Sequence, residues 1–217
     1  MKSPEAVSPL VLDAGRVSET LWSTVGLKPQ WTAAIPETAR PQLLVICDYA
    51  WVQDAVQRER FLKYVTDGGR VLLSGPGDQL KTLFPNLVKS FRDAEGEIVT
   101  LRVPESPVFD GIEVMDLRWF DRGDQSIPIA THGDFSLAES PPVEVLAKHT
   151  PVHGYLFTQK LREEIEGAAL FVLRHGQGQV WVTQLAHETG VRDPIAARVL
   201  RNILNCAASP VKGPDRK

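Results

Sequence analysis

The sequence predicts an α/β fold, a mostly parallel β-sheet with helices on both faces and an antiparallel hairpin near the C-terminal end. Three observations carry this. "PQLLVICDYA" (41–50) is a continuous apolar run flanked by Pro41 and Asp48, the pattern of a strand buried on both faces. "WVQDAVQRERFLKYVTDGGR" follows with apolar residues at helical spacing and then Gly68-Gly69, after which "RVLLSG" is a second buried run. Strand, helix, double glycine and strand form a crossover between parallel strands. "GAALFVLRHGQGQVWVTQLA" (167–186) holds two β-rich runs around a glycine turn, which predicts the hairpin.

Taken in order, "PLVLDAG" (9–15) reads as a first short strand and "VSETLWSTVGL" (17–27) as a helix capped by Ser18 and ending near Gly26. In the crossover helix, Val52, Val56, Phe61, Leu62 and Val65 are expected on the buried face. Gly68 and Gly69 stop it, because a left-handed residue after the last turn costs glycine no Cβ clash. A weak helix over "GDQLKTLFPNLVKSF" is capped by Asp78 and broken by Pro85. From about residue 95 the pattern becomes short alternating runs such as "EGEIVTLRV", separated by the loops "PESPVFDG" and "FDRGDQSIPIATHGD". "PVEVLAKHT" (142–150) is a further strand. "DPIAARVLRNILNCA" (193–207) is an amphipathic helix with Asp193 at its cap and Pro194 at its first position. One domain over 9–207 is expected, with 1–8 and 208–217 as linker or disordered tails.

Composition narrows the function. The 217 residues are 43% hydrophobic and 24% charged, enough for a sizeable core. A net charge of -3 with scattered Lys and Arg offers no basic face for a phosphate backbone, so no nucleic-acid partner is expected. No apolar stretch approaches the ~18 residues of a membrane span, and the first residues lack the apolar core of a signal peptide. The expectation is a cytoplasmic protein by default, exported if the chain is part of a longer secreted one. Cys47 and Cys206 lie in apolar runs without metal or redox spacing and read as buried thiols.

The chemistry-bearing patterns are sparse. After Gly75 the run Pro-Gly-Asp-Gln-Leu-Lys misplaces the lysine and hydroxyl of a phosphate loop, and Leu80 stands where a dinucleotide fingerprint needs its third glycine. No cofactor is expected. Histidines 132, 149, 153, 175 and 187 lack ligand spacing, so no metal site is expected either. Cys47, His187 and Glu188 invite a nucleophile–base–acid reading. Against it, Cys47 stands between Ile46 and Asp48 rather than on a small-residue elbow, and a neighbouring carboxylate disfavours thiolate. No catalytic residue is assigned. The loop "FDGIEVMDLRWFDRGDQ" (109–125) is the densest polar and aromatic patch. Either Trp119 and Phe120 plug the core while the charges pair, or Asp116, Arg118, Trp119 and Asp124, with Asp121 and Arg122 beside them, hold a polyol by paired hydrogen bonds and ring stacking.

Four motifs in order, "LLVICDYAWVQDAVQRERFLKYVTDGGRVLLSG", "SPVFDGIEVMDLRWF", "GQGQVWVTQL" and "DPIAARVLRNILNCA", resemble the class I glutamine amidotransferase-like domains associated with bacterial glycoside hydrolases. Relatives include the trimerisation domain of some β-galactosidases and domains near the C-termini of family 2-like glycosidases. The resemblance implies a three-layer, flavodoxin-like sandwich without the glutaminase triad. It also implies a non-catalytic accessory or assembly role, with a catalytic glycosidase module or a second copy as partner and a carbohydrate as possible ligand. The competing expectation is a stand-alone hydrolase of a glycoside or small amide, drawing its acid and base from Asp116, Asp121, Asp124 and His187.

Overall fold

The computed structural model describes residues 8–16, 18–38, 43–96, 98–118, 120, 129–139, 143–150 and 166–209. Its centre is a ten-stranded mixed sheet. Strands β1 (Leu10–Leu12), β2 (Gln30–Thr32), β3 (Leu43–Ile46), β4 (Arg70–Ser74) and β10 (Gly178–Thr183) run parallel in the order β2-β1-β3-β4-β10. β9 (Gly167–His175) pairs antiparallel with β10 and continues the sheet. The antiparallel remainder is β5 (Val88–Gly96) on β7 (Thr131–Leu137), and β6 (Val99–Leu101) on β8 (Val143–His149), with β8 also on β9.

Successive side chains of a strand point to opposite faces, and the parallel strands are apolar at nearly every position. They therefore serve two cores. Leu43, Val45, Leu72 and Trp181 pack on one side with α1 (Glu19–Thr24) and α4 (Pro194–Ala208). Leu44, Ile46, Val71, Leu73, Val180 and Val182 pack on the other with α2 (Ala55–Thr66) and α3 (Gln79–Leu83). Each fully buried aliphatic side chain contributes about 1.5–3 kcal/mol. The result is the expected three-layer, flavodoxin-like α/β sandwich.

Caps and glycines set the joints. Asp54 accepts from Val56 N at 2.8 Å and starts α2, and Asp193 accepts from Ile195 N at 2.8 Å and Ala196 N at 3.0 Å to start α4. Gly68 has φ +102° and turns the chain out of α2. A Cβ on Gly178 would stand 2.1 Å from Val65 O and 2.4 Å from Gly69 O, so the end of α2 approaches the start of β10 only because that position has no side chain.

Several local expectations are corrected. Ser18 precedes α1 but makes no capping bond, because its hydroxyl is drawn to Asp13 instead. Asp78 precedes α3 without a side-chain cap. Val56 is 64% exposed, and Tyr64 takes the buried place on α2 instead. The helix expected over 77–91 lasts only from Gln79 to Leu83, after which β5 begins at Val88. Strand β7 falls within what reads as loop, because His132, Gly133 and Asp134 are poor strand formers held by pairing with β5. The expected tails, 1–8 and 208–217, lie outside the described residues apart from Ser8, Ala208 and Ser209.

Candidate functional site

In an open α/β sheet, ligands bind beyond the carboxyl ends of the parallel strands, where strand order reverses. Here that point lies between β1 and β3, since β2 lies on the far side of β1 and β4 on the far side of β3. A cleft of about 500 Å³ opens there. Asp13 follows β1, Cys47, Asp48 and Tyr49 follow β3, Ser74 and Gly75 end β4, and His187 and Glu188 follow β10. Ser18, Thr20 and His132 complete the polar wall.

Asp13 is buried, and its Oδ2 accepts from Ser18 N at 2.9 Å and Ser18 Oγ at 2.7 Å. Trp22 Nε1 donates to the same hydroxyl at 2.8 Å, so α1 is keyed onto the end of β1 by a chain of neutral donors. Cys47 sits beside this carboxylate. Burial, then the charge of Asp13, push its thiol up to about 12, and Asp48 adds to the shift while a hydrogen bond with Ser18 opposes it. The Tyr49 hydroxyl lies 2.9 Å from Ile46 O and 3.0 Å from Ser74 O, bridging the ends of β3 and β4. Burial pushes it well above the ordinary phenol range.

His187 forms the inner wall at 2% exposure. Thr183 Oγ1 already accepts from Leu185 N at 3.1 Å and lies 2.9 Å from His187 Nε2. A hydroxyl has one donor and two acceptor lone pairs, so it serves either tautomer of the ring, donating to Nε2 or accepting from Nε2–H. The other ring nitrogen, Nδ1, is buried with no hydrogen-bond partner among the described residues. Burial lowers the His187 pKa to about 4, against the opposing pull of Glu188. At the rim, His132 Nε2 and Glu188 Oε1 are 2.6 Å apart. Partial burial pushes the Glu188 carboxyl up, but the hydrogen bond and charge of His132 outweigh it and hold it below the usual range.

The buried imidazole has a measurable consequence. Unfolded His187 takes up its proton near 6.5 and the folded ring only near 4, so the unfolded state binds more protons between those values. Its contribution to stability is present above 6.5 and lost as pH falls towards 4, about 3 kcal/mol in all. Urea denaturation as a function of pH should show this loss in the parent chain and a flatter profile in His187→Gln. Equal slopes would place the acid sensitivity elsewhere.

The structure brings Cys47 into one cleft with the adjacent pair His187 and Glu188 from the far end of the chain, and burial and the Asp13 charge, which push the thiol up to about 12, argue against a thiolate triad. Among the described part of the 109–125 loop, Asp116 accepts from Glu113 N at 2.8 Å and so closes its own turn. It stands with Arg118 in a short 3-10 turn away from the cleft wall. Trp119, Asp121, Arg122 and Asp124 lie outside the described residues. Sequence reasoning missed Asp13, Ser18, Tyr49 and His132. For Asp13 the signal was available, since the first polar residue after an apolar parallel strand marks the sheet's carboxyl edge. Among the described residues no group of three or more His, Cys, Asp or Glu is placed to hold a metal, and no helix is long and apolar enough to cross a membrane.

No protein-family profile matches the sequence, and no curated protein matches it. Solved structures do match. A ThuA-like protein from Parabacteroides merdae superposes with a TM-score of 0.55 at 14% identity, covering 97% of this chain and 94% of that one. A chain of PurLQS from Thermotoga maritima gives 0.56 at 12%, covering 93% and 99%. The exo-β-1,4-mannosidase Op5Man5 from an Opitutaceae bacterium gives 0.53 at 10%, covering 93% of this chain but only 36% of the enzyme. At these identities the likeness is one of fold alone, the three-layer α/β sandwich described above.

Proposed function

We propose that the chain is a non-catalytic accessory domain of carbohydrate-active machinery, joined to a catalytic glycosidase module or to a second copy of itself, and that its cleft holds a sugar or related polyol. The observation that carries this is the cleft itself. Its wall combines carboxylates, a neutral buried imidazole and a thiol that stays protonated at neutral pH. Such a wall offers many hydrogen bonds and no ready nucleophile. The fold's occurrence as about a third of the mannosidase Op5Man5 supports an accessory reading.

Thermal-shift titration with a panel of monosaccharides and polyols, beside turnover assays with aryl glycosides and glutamine, tests it. Saturable stabilisation without turnover is expected, reaching about 2–3 kcal/mol at a hundredfold excess over Kd. No stabilisation by any member removes the ligand reading, and turnover lost on substituting His187 restores the hydrolase.

A further inference from the structure

We infer that the outer edge of β5 pairs with the same edge of a second copy, antiparallel, about a two-fold axis passing beside Phe91. The inference rests on the reading that the chain's partner is a second copy of itself, and gives that partner a surface. β5 ends the main strand order of the sheet and, among the described residues, has a strand neighbour only in β7. Such an edge presents backbone N–H and C=O groups to an incoming strand. Along it Lys89 and Asp93 are exposed and Phe91 between them is half-buried. Neither charged side chain has an ion-pair partner among the described residues. The Phe91 ring packs on Phe135 with centroids 5.0 Å apart, which holds it at the edge.

A lysine and a bulge at a sheet edge guard it against foreign strands. This lysine is matched four positions on by an aspartate, so the edge admits β5 itself, reversed. With Phe91 opposite its own copy, Lys89 stands opposite Asp93 and Asp93 opposite Lys89, while Ser90 stands opposite Arg92, whose charge Asp134 already holds. Directly opposed residues share a face with Cβ atoms about 4.5–5.5 Å apart, which puts both ion pairs and the ring pair within reach. A slip one way brings Lys89 to Glu95 but sets Arg92 against Arg92 and Phe91 against Asp93, and a slip the other way sets Lys89 against Phe91. Charge therefore selects the register centred on Phe91. Bulges between Val88 and Ser90 and between Asp93 and Gly96, with Lys89 O taken by Lys81 Nζ at 3.1 Å, confine regular pairing to 90–93. The contact is short, and its two-fold closes it as a dimer.

Sedimentation velocity on the full chain, from about 1 µM to about 1 mM, tests the inference. So short a contact buries less than a standard interface, and a dissociation constant of about 10–100 µM is expected. Lys89→Asp and Asp93→Lys should each weaken the dimer about tenfold or more, since each sets like charges opposite one another twice per dimer, and the double variant should restore it to within about threefold. Both positions are exposed, so all three variants should melt as the parent does. Phe91→Cys should crosslink to its own copy under copper–phenanthroline, and Val56→Cys, exposed on α2, should not. A monomer at every concentration overturns the inference and the second-copy reading with it, leaving the glycosidase module as partner. A dimer that neither single substitution weakens, or that the double variant fails to restore, places the contact elsewhere, which overturns the inference and leaves the second-copy reading standing.

Discussion

Asp134→Ala is expected to destabilise the chain by about 3–5 kcal/mol, the range for removing one partner from a buried ion pair. Asp134 lies on β7 at 3% exposure and accepts on one oxygen from Arg92 Nε at 2.9 Å, Arg92 Nη2 at 2.6 Å and His149 Nδ1 at 2.6 Å. Three strands, β5, β7 and β8, thus meet at a single carboxylate. The packing around it is close, since a Cβ on Gly167 would stand 1.7 Å from Asp134 Oδ1 and one on Gly96 would stand 1.9 Å from His149 Nε2. Alanine would leave the His149 ring, itself 1% exposed, without its acceptor, and Arg92 would have to turn to solvent, which its partly exposed side chain can do. The loss should therefore fall at the lower end of the range. Asp134→Asn, which keeps one acceptor oxygen, should lose less. Guanidinium denaturation of both variants checks this, and a loss below about 1 kcal/mol for the alanine would show that water takes over the carboxylate's role.

The second large effect is kinetic. At pH 8 a thiol of ordinary pKa 9.0 is about one-tenth thiolate, whereas one near 12 is about a thousandfold less ionised; the greater nucleophilicity of the more basic thiolate offsets part of this, so Cys47 should react with iodoacetamide at least about thirtyfold more slowly than a free thiol. Cys206, half-buried on α4, is also pushed up, by burial and then by Asp110, and serves as an internal comparison. Peptide-resolved mass spectrometry of alkylated protein gives both rates. Asp13→Asn should speed Cys47 more than Asp48→Asn, because the Asp13 charge is the larger of the two influences. A Cys47 rate within tenfold of a free thiol would reopen the nucleophile reading that the cleft otherwise closes.

The Cys47 case shows where sequence reasoning held and where it fell short. The flanking Ile46 and Asp48 argued against a nucleophile, and the structure agrees in direction. Its larger causes are burial and Asp13, which lies 34 positions earlier, just beyond the end of β1. No spacing rule connects these residues, because only the parallel pairing of β1 with β3 places their ends side by side. The same holds for His132 and Glu188, joined where β7 runs past the end of β10.

The sequence by itself determined the α/β class, the two-faced strands β3 and β4, the hairpin of β9 and β10 and the helices α2 and α4. Each of these follows from apolar periodicity, caps and glycines acting over a few neighbouring residues. Tertiary structure alone decided the edge strand β5 and its neighbour β7, whose polar residues carry no strand signal until a partner satisfies their backbone. It also decided the cleft and the Asp134 cluster, because the charge, burial and reach of a side chain depend on what the fold brings against it.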